Sequence, residues 1–133
     1  GIGNHRPRGD GMCEVSVEAD SGAAHRLRLA DGSLEPPHGH DWHVTATFAG
    51  DGLDGVGLLV DFVAAEARLR AVVGRLHHTD LNECPAMRGL NPSAEHVARV
   101  IFELMAEDAT LRPHLHRVAV TEAPGCMATF IRD

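Results

Sequence analysis

His38-Gly39-His40 sets two imidazoles two residues apart, with no side chain between them. In an extended chain that spacing puts both rings on one face. Neutral imidazole nitrogen is a good zinc ligand, and three histidines with one open position make a recurring catalytic arrangement. A third nitrogen is needed. The best candidate is His25, in Ala23-Ala24-His25-Arg26-Leu27, because the preceding apolar run can deliver it through a strand connection. The expected zinc ligands are therefore His25, His38 and His40. The competing reading is a chance pair in a chain with ten histidines.

Three further groups could move protons or hold a substrate. The first is His77-His78 with Asp80, since histidine exchanges protons near neutral pH and a carboxylate can fix its tautomer. Histidines at a helix C-terminus can also simply meet the last carbonyls and the dipole. The second is Glu35, three residues before His38, either a general base or an exposed loop acid. The third is Glu122, at the end of a strand, where a carboxylate can accept two N–H donors from a flat heterocycle. Cys84 and Cys126 have no adjacent base in sequence, so both read as small packing thiols.

The elements that must position these groups follow from periodicity. Cys13 to Ala19 alternates as a half-buried strand, and Asp20-Ser21-Gly22 reads as a turn or bulge. Ala24 to Leu29 resumes, with His25, Leu27 and Leu29 on one parity. Asp41 to Ala49 is the clearest strand: Trp42, Val44, Ala46 and Phe48 share the parity of His38 and His40, while His43 points the other way. Gly57 to Asp61 reads as a short strand or strand end. The period then changes: Phe62, Ala65, Leu69, Val72, Val73 and Leu76 mark an amphipathic helix capped by Asp61, with Glu66 and Arg70 as an i,i+4 pair. Asn91-Pro92 signals a second helix, Asn as cap, running to about Asp108. Leu115 to Glu122 and Cys126 to Ile131 close the chain as strands. The expected order is β-β-β-β-α-α-β-β, an α+β layer of two helices on one face of an antiparallel sheet.

Composition narrows the function classes. The chain has 133 residues, which suits one domain, and a formal net charge of -7. That balance argues against a nucleic-acid or anionic-membrane surface. Four Phe, one Trp and no Tyr leave little for a base-stacking platform. No apolar run reaches the length of a membrane span. Cys13, Cys84 and Cys126 are odd in number and widely spaced, which suits a reducing, cytoplasmic setting. Residues 1–11, rich in Gly and charge, read as a flexible arm before a single domain at 12–133. The glycines at 50, 52, 55 and 57 match no phosphate-binding loop.

Several short motifs occur in a telling order: Ala23-Ala24-His25-Arg26-Leu27, His38-Gly39-His40-Asp41-Trp42, Val60-Asp61-Phe62, Leu76-His77-His78-Thr79-Asp80-Leu81-Asn82, Asn91-Pro92-Ser93-Ala94-Glu95 and Thr121-Glu122-Ala123-Pro124. Together they resemble the 6-pyruvoyl-tetrahydropterin synthase and 6-carboxy-tetrahydropterin synthase family, from about Cys13 to the C-terminus. The resemblance implies the tunnelling fold, a four-stranded antiparallel sheet with two helices on one side. It implies homo-oligomers, trimers stacked as hexamers, with active sites at subunit interfaces. It implies zinc on His25, His38 and His40, a pterin anchor at Glu122 and a catalytic histidine at His78. The implied activity is a zinc-dependent carbon–oxygen lyase acting on 7,8-dihydroneopterin triphosphate or a related reduced pterin.

The chain departs from the family pattern in three places. The family cysteine falls a few residues before the histidine pair, where Gly32, Ser33 and Leu34 stand, and no cysteine occurs from Ala19 to Glu83. His77 stands where an aspartate normally precedes the catalytic histidine. Ser21-Gly22 replaces an aromatic-serine start. One family branch uses a glutamate in place of the cysteine, and Glu35 is displaced from that location by about one residue. The expectation is a pterin lyase-like site with altered proton-transfer groups, His77, His78, Asp80 and Glu35 among them. Two other readings stand beside it: a non-catalytic pterin- or zinc-binding homologue, and a zinc-assisted hydrolase of a small heterocycle.

Overall fold

Val15, Val17, Ala19 and Ala23, with Ser21 on the same parity, line one face of a single long strand, β1 (Cys13–His25), which pairs antiparallel with β2 (His38–Gly50). The computed structural model describes residues 11–36, 38–77 and 79–133, without the side chains of Ala24, His38 and His40. Helix α1 (Phe62–Gly74) and helix α2 (Ala94–Met105) follow, then β3 (Leu115–Ala123) and β4 (Cys126–Ile131). The four strands lie in the order β1-β2-β3-β4, all antiparallel, and both helices cover one face.

That face carries the core. Trp42, Val44, Ala46 and Phe48 of β2 are buried, as are Val118 and Val120 of β3. Helix α1 contributes Ala65, Leu69, Val72 and Val73. Helix α2 contributes a broader stripe that includes Val97, Ile101, Leu104 and Met105. Full burial of Phe48 alone is worth about 1.5–3 kcal/mol. The opposite face is polar and small: Ser16 and Thr47 share a 2.9 Å hydrogen bond across β1 and β2. His43 also lies there, as its parity predicts.

Four local expectations are corrected. Asp20-Ser21-Gly22 is no turn; each residue pairs in register with His43, Trp42 and Asp41, so β1 runs unbroken. Leu27 and Leu29 do not continue the strand. Residues 26–35 fold into a small hairpin, with one bridge between Arg28 and Leu34 and a 2.8 Å bond from Leu29 N to Ser33 O. Leu29 and Leu34 are exposed, so parity there reports no buried face. Gly57 to Asp61 is not a strand either. Asp54 Oδ1 accepts the amides of Val56 and Leu58, each at 2.9 Å, and folds the segment into a turn. The cap of α2 is Ser93, whose Oγ accepts His96 N at 3.1 Å. Asn91 and Pro92 precede the helix, which ends at Met105. The Asp61 cap and the Glu66–Arg70 pair are as expected, the latter at 3.5 Å.

Candidate functional site

His25 is the last residue of β1, and its Cα partner in β2 is His38; Ala23 is opposite His40. The backbones of the three candidate ligands thus stand within neighbouring rungs of one ladder. The His25 side chain is 1% exposed. Its Nδ1 lies 2.7 Å from Pro92 O. A carbonyl only accepts, so Nδ1 carries the proton and donates. The ring meets the Trp42 indole edge-on, centroids 5.0 Å apart at 81°. Trp42 is itself held by a 3.3 Å bond from Nε1 to Ala23 O. A backbone acceptor and an indole wall therefore fix the ring in place.

The other ring nitrogen faces a carboxylate. His25 Nε2 lies 2.8 Å from Glu122 Oε1, with the Glu122 side chain 26% exposed. Backbone irregularity aims that carboxylate. Thr121 pairs with Met127 and Ala123 with Cys126, so β3 has one residue more than β4 at this point. Glu122 is the extra residue of a bulge, a device that redirects a side chain at a strand end.

These contacts decide whether the residues suit a cation. A neutral imidazole has one N–H, and at His25 it belongs to Nδ1. Nε2 then presents a lone pair towards a carboxylate oxygen. Two acceptors at 2.8 Å are stable only with a proton or a cation between or beside them. The Nδ1–carbonyl bond is also the outer-shell arrangement that orients metal-binding histidines. His25 Nε2 and the Glu122 carboxylate are a nitrogen and an oxygen donor of the kinds zinc accepts. Among the described residues no cluster of three or more His, Cys, Asp or Glu side chains could hold a metal. The side chains of His38 and His40 lie outside that description, as does His78.

The chain between α1 and α2 is stitched along the outer edge of β1 and its continuation. Gly22 N donates to His77 Nδ1 at 3.1 Å, and Ser21 Oγ is 3.4 Å from the same nitrogen. Arg26 N donates to Asn82 Oδ1 at 2.8 Å, and Asn82 Nδ2 donates back to Arg26 O at 2.9 Å. Asn91 repeats this two-point grip on Arg28, at 2.9 and 3.3 Å. Three side chains thus do the work of a neighbouring strand. Glu35 closes the hairpin: its Oε1 accepts Leu27 N at 3.0 Å, and its own amide donates to Leu27 O at 3.0 Å.

The expected site residues therefore separate. His25 and Glu122 come into contact, and Glu35 reaches the residue two positions beyond His25. Asp80 Oδ1 accepts Asn82 N at 3.0 Å, which steadies the Asn82 grip. His77 is exposed and turned to the strand edge. Ser33, at the vacated cysteine position, donates to Asp31 in an exposed turn. Cys84 is buried, as a packing thiol should be, whereas Cys126 is exposed. Asn82, the Asn91 grip and the Pro92 carbonyl escape sequence reasoning, because their partners are 56 to 67 residues away and share no periodicity with them.

Outside the pocket, His43 sits between two carboxylates: Nδ1 to Asp20 Oδ1 at 2.7 Å and Nε2 to Glu18 Oε1 at 2.9 Å. The hydrogen bond to Asp20, then that to Glu18, raises its pKa above the ordinary value of 6.5. Among the described residues no helix is long and apolar enough to cross a membrane.

Comparison with known proteins agrees with this framework. The family model for 6-pyruvoyl tetrahydropterin synthase matches residues 14–133. A 6-carboxy-5,6,7,8-tetrahydropterin synthase of Bacillus subtilis is 30% identical over 125 residues, covering 90% of this chain and 78% of that protein. The structure of the Caenorhabditis elegans 6-pyruvoyl tetrahydropterin synthase superposes with a TM-score of 0.80 at 19% identity, covering 92% of this chain and 97% of that one. The Plasmodium vivax protein of the same name gives 0.76 at 21% identity, covering 93% and 99%. Variants of it with alanine or cysteine in place of a catalytic glutamate match equally well. With the family model spanning nearly the whole chain and the four-stranded, two-helix layer shared with these structures, the protein belongs to the 6-pyruvoyl tetrahydropterin synthase family.

Proposed function

We propose that the protein is a zinc-dependent pterin-processing lyase. Its substrate is 7,8-dihydroneopterin triphosphate or a related reduced pterin, and the reaction is triphosphate elimination or side-chain conversion. The observation that carries this reading is the buried His25 ring, with Nδ1 committed to Pro92 O and Nε2 turned to Glu122. His25, His38 and His40 hold the metal. A bound zinc ion supplies Lewis acidity towards the substrate side-chain hydroxyls.

The remaining roles belong to the chain itself. Glu122, one-quarter exposed at its bulge, accepts paired N–H donors of the pterin ring. His78 exchanges protons with the substrate side chain, with Asp80 nearby in sequence. Glu35 takes the place of the family cysteine as base. It is anchored opposite Leu27, two residues from His25, and a glutamate is the catalytic residue of the Plasmodium vivax relative. The working form is a homo-oligomer, trimer or hexamer, with sites at subunit interfaces. The end strand β4, and β1 ahead of the His77 contact, supply edges that suit such assembly.

A second reading, a pterin- and zinc-binding protein without turnover, is favoured by Gly32, Ser33 and Leu34 where the family has its cysteine. One experiment separates the two. Zinc-loaded protein is incubated with 7,8-dihydroneopterin triphosphate and every product is identified by mass. Pyruvoyl, carboxy or hydroxymethyl products assign the branch. Tight pterin binding with no product selects the second reading. Purified protein without zinc, or Glu122→Gln with unchanged pterin affinity, defeats the proposed site.

A further inference from the structure

We infer that His77 is a positioning residue, a clamp that pins the end of α1 to the edge of β1 through the Gly22 amide, and that it carries no proton in the reaction. Gly22 N–H can only donate, and it points at His77 Nδ1 from 3.1 Å. Nδ1 must therefore offer its lone pair, which leaves the ring proton on Nε2. A second proton on Nδ1 would set one donor against another and break the contact. A histidine that cycled between charge states through Nδ1 would release its own anchor at each turnover.

The clamp has a clear object. His77 holds the chain immediately before His78 to Gly22, and Asn82 holds the chain after it to Arg26. Between them Thr79 Oγ1 donates to Leu76 O at 2.6 Å, closing the last turn after α1. The two grips thus flank, in sequence, the residue to which the proposed function gives proton exchange. Among the described residues, the charged groups that line the same groove as His77 are Arg70 from α1 and Glu18 and Asp20 from β1. Both carboxylates are engaged by His43, on the far side of that edge.

Only the kinetic part of the inference rests on the proposed function. The test uses the full zinc-loaded chain and two substitutions. Asparagine presents an acceptor oxygen near the Nδ1 position, whereas glutamine presents its polar atoms farther out, near Nε2. The first readout is hydrogen exchange at the Gly22 amide. Exchange should stay slow in wild type and His77→Asn and accelerate by about tenfold or more in His77→Gln. The second readout is kinetic. His77→Asn should keep kcat within about threefold, and His77→Gln should lose about tenfold or more in kcat with KM unchanged.

Equal kcat losses in both variants, with Gly22 still protected in His77→Asn, would make His77 a proton carrier and overturn the inference. So would a Gly22 amide indifferent to His77→Gln. If the wild type shows no turnover, the proposed lyase activity fails, and the Gly22 exchange pattern alone decides the clamp.

Discussion

His25 and His43 lie on opposite faces of the same sheet and pose the same arithmetic. Each imidazole has an acceptor at both nitrogens: Pro92 O and Glu122 for His25, Asp20 and Glu18 for His43. A neutral ring can satisfy only one of its two with its single proton. The His43 side chain is 41% exposed, and a second proton from solvent resolves the conflict, which is why its pKa is raised. His25 is 1% exposed, under the Trp42 indole. That burial closes the ring off from solvent, and the proposed metal site uses its Nε2. The same residue type in the same partner pattern is a surface ion pair on one face and a candidate metal ligand on the other. Burial makes the difference.

The largest effect expected from breaking this contrast is structural. Trp42→Ala removes the wall of the His25 pocket and should cost about 3–5 kcal/mol in chemical denaturation. Little loss would mean that the pocket is not part of the core. His25→Ala should lower zinc affinity by more than about 100-fold, while His43→Ala leaves zinc content unchanged, both read by metal analysis of folded protein. Equal losses would erase the distinction between the faces. Asn82→Ala removes two part-buried bonds to the residue after His25 and should cost about 1–3 kcal/mol. Unchanged stability would show that the edge grip adds nothing to the rigidity of the pocket.

His43→Gln gives the smallest effect, and its sign is fixed. The raised pKa means that the native state holds the proton more tightly. The wild-type advantage is therefore fully present below the ordinary value of 6.5 and is lost as pH rises through the raised native value. Exposure keeps it below about 1 kcal/mol, and added salt should shrink it further. An advantage that grew at alkaline pH would reverse the reading.

Particular residues show where sequence reasoning reached and where it stopped. The alternation of Trp42, Val44, Ala46 and Phe48 located β2 and its buried face, because a two-residue period is a local property of an extended chain. The same rule excluded His43 from the pocket. It failed at Asp20-Ser21-Gly22, where small and polar residues suggest a turn but pairing with His43, Trp42 and Asp41 holds them extended. It failed again at Asn91, a good helix cap by type that serves Arg28 instead, while Ser93 takes the cap. Local propensity gave way in both cases to hydrogen bonds made across the fold.

The sequence by itself determined the α+β class with its two helices, the shared parity of His38 and His40 with the buried face of β2, and the family to which the motif order points. Those features depend on neighbours along the chain. Only the tertiary structure decided which nitrogen of His25 is committed, how a bulge turns Glu122 onto it, and that His77 grips a strand edge. Each rests on a partner 55 to 97 residues away in sequence, where hydrogen-bond geometry rather than residue spacing sets the outcome.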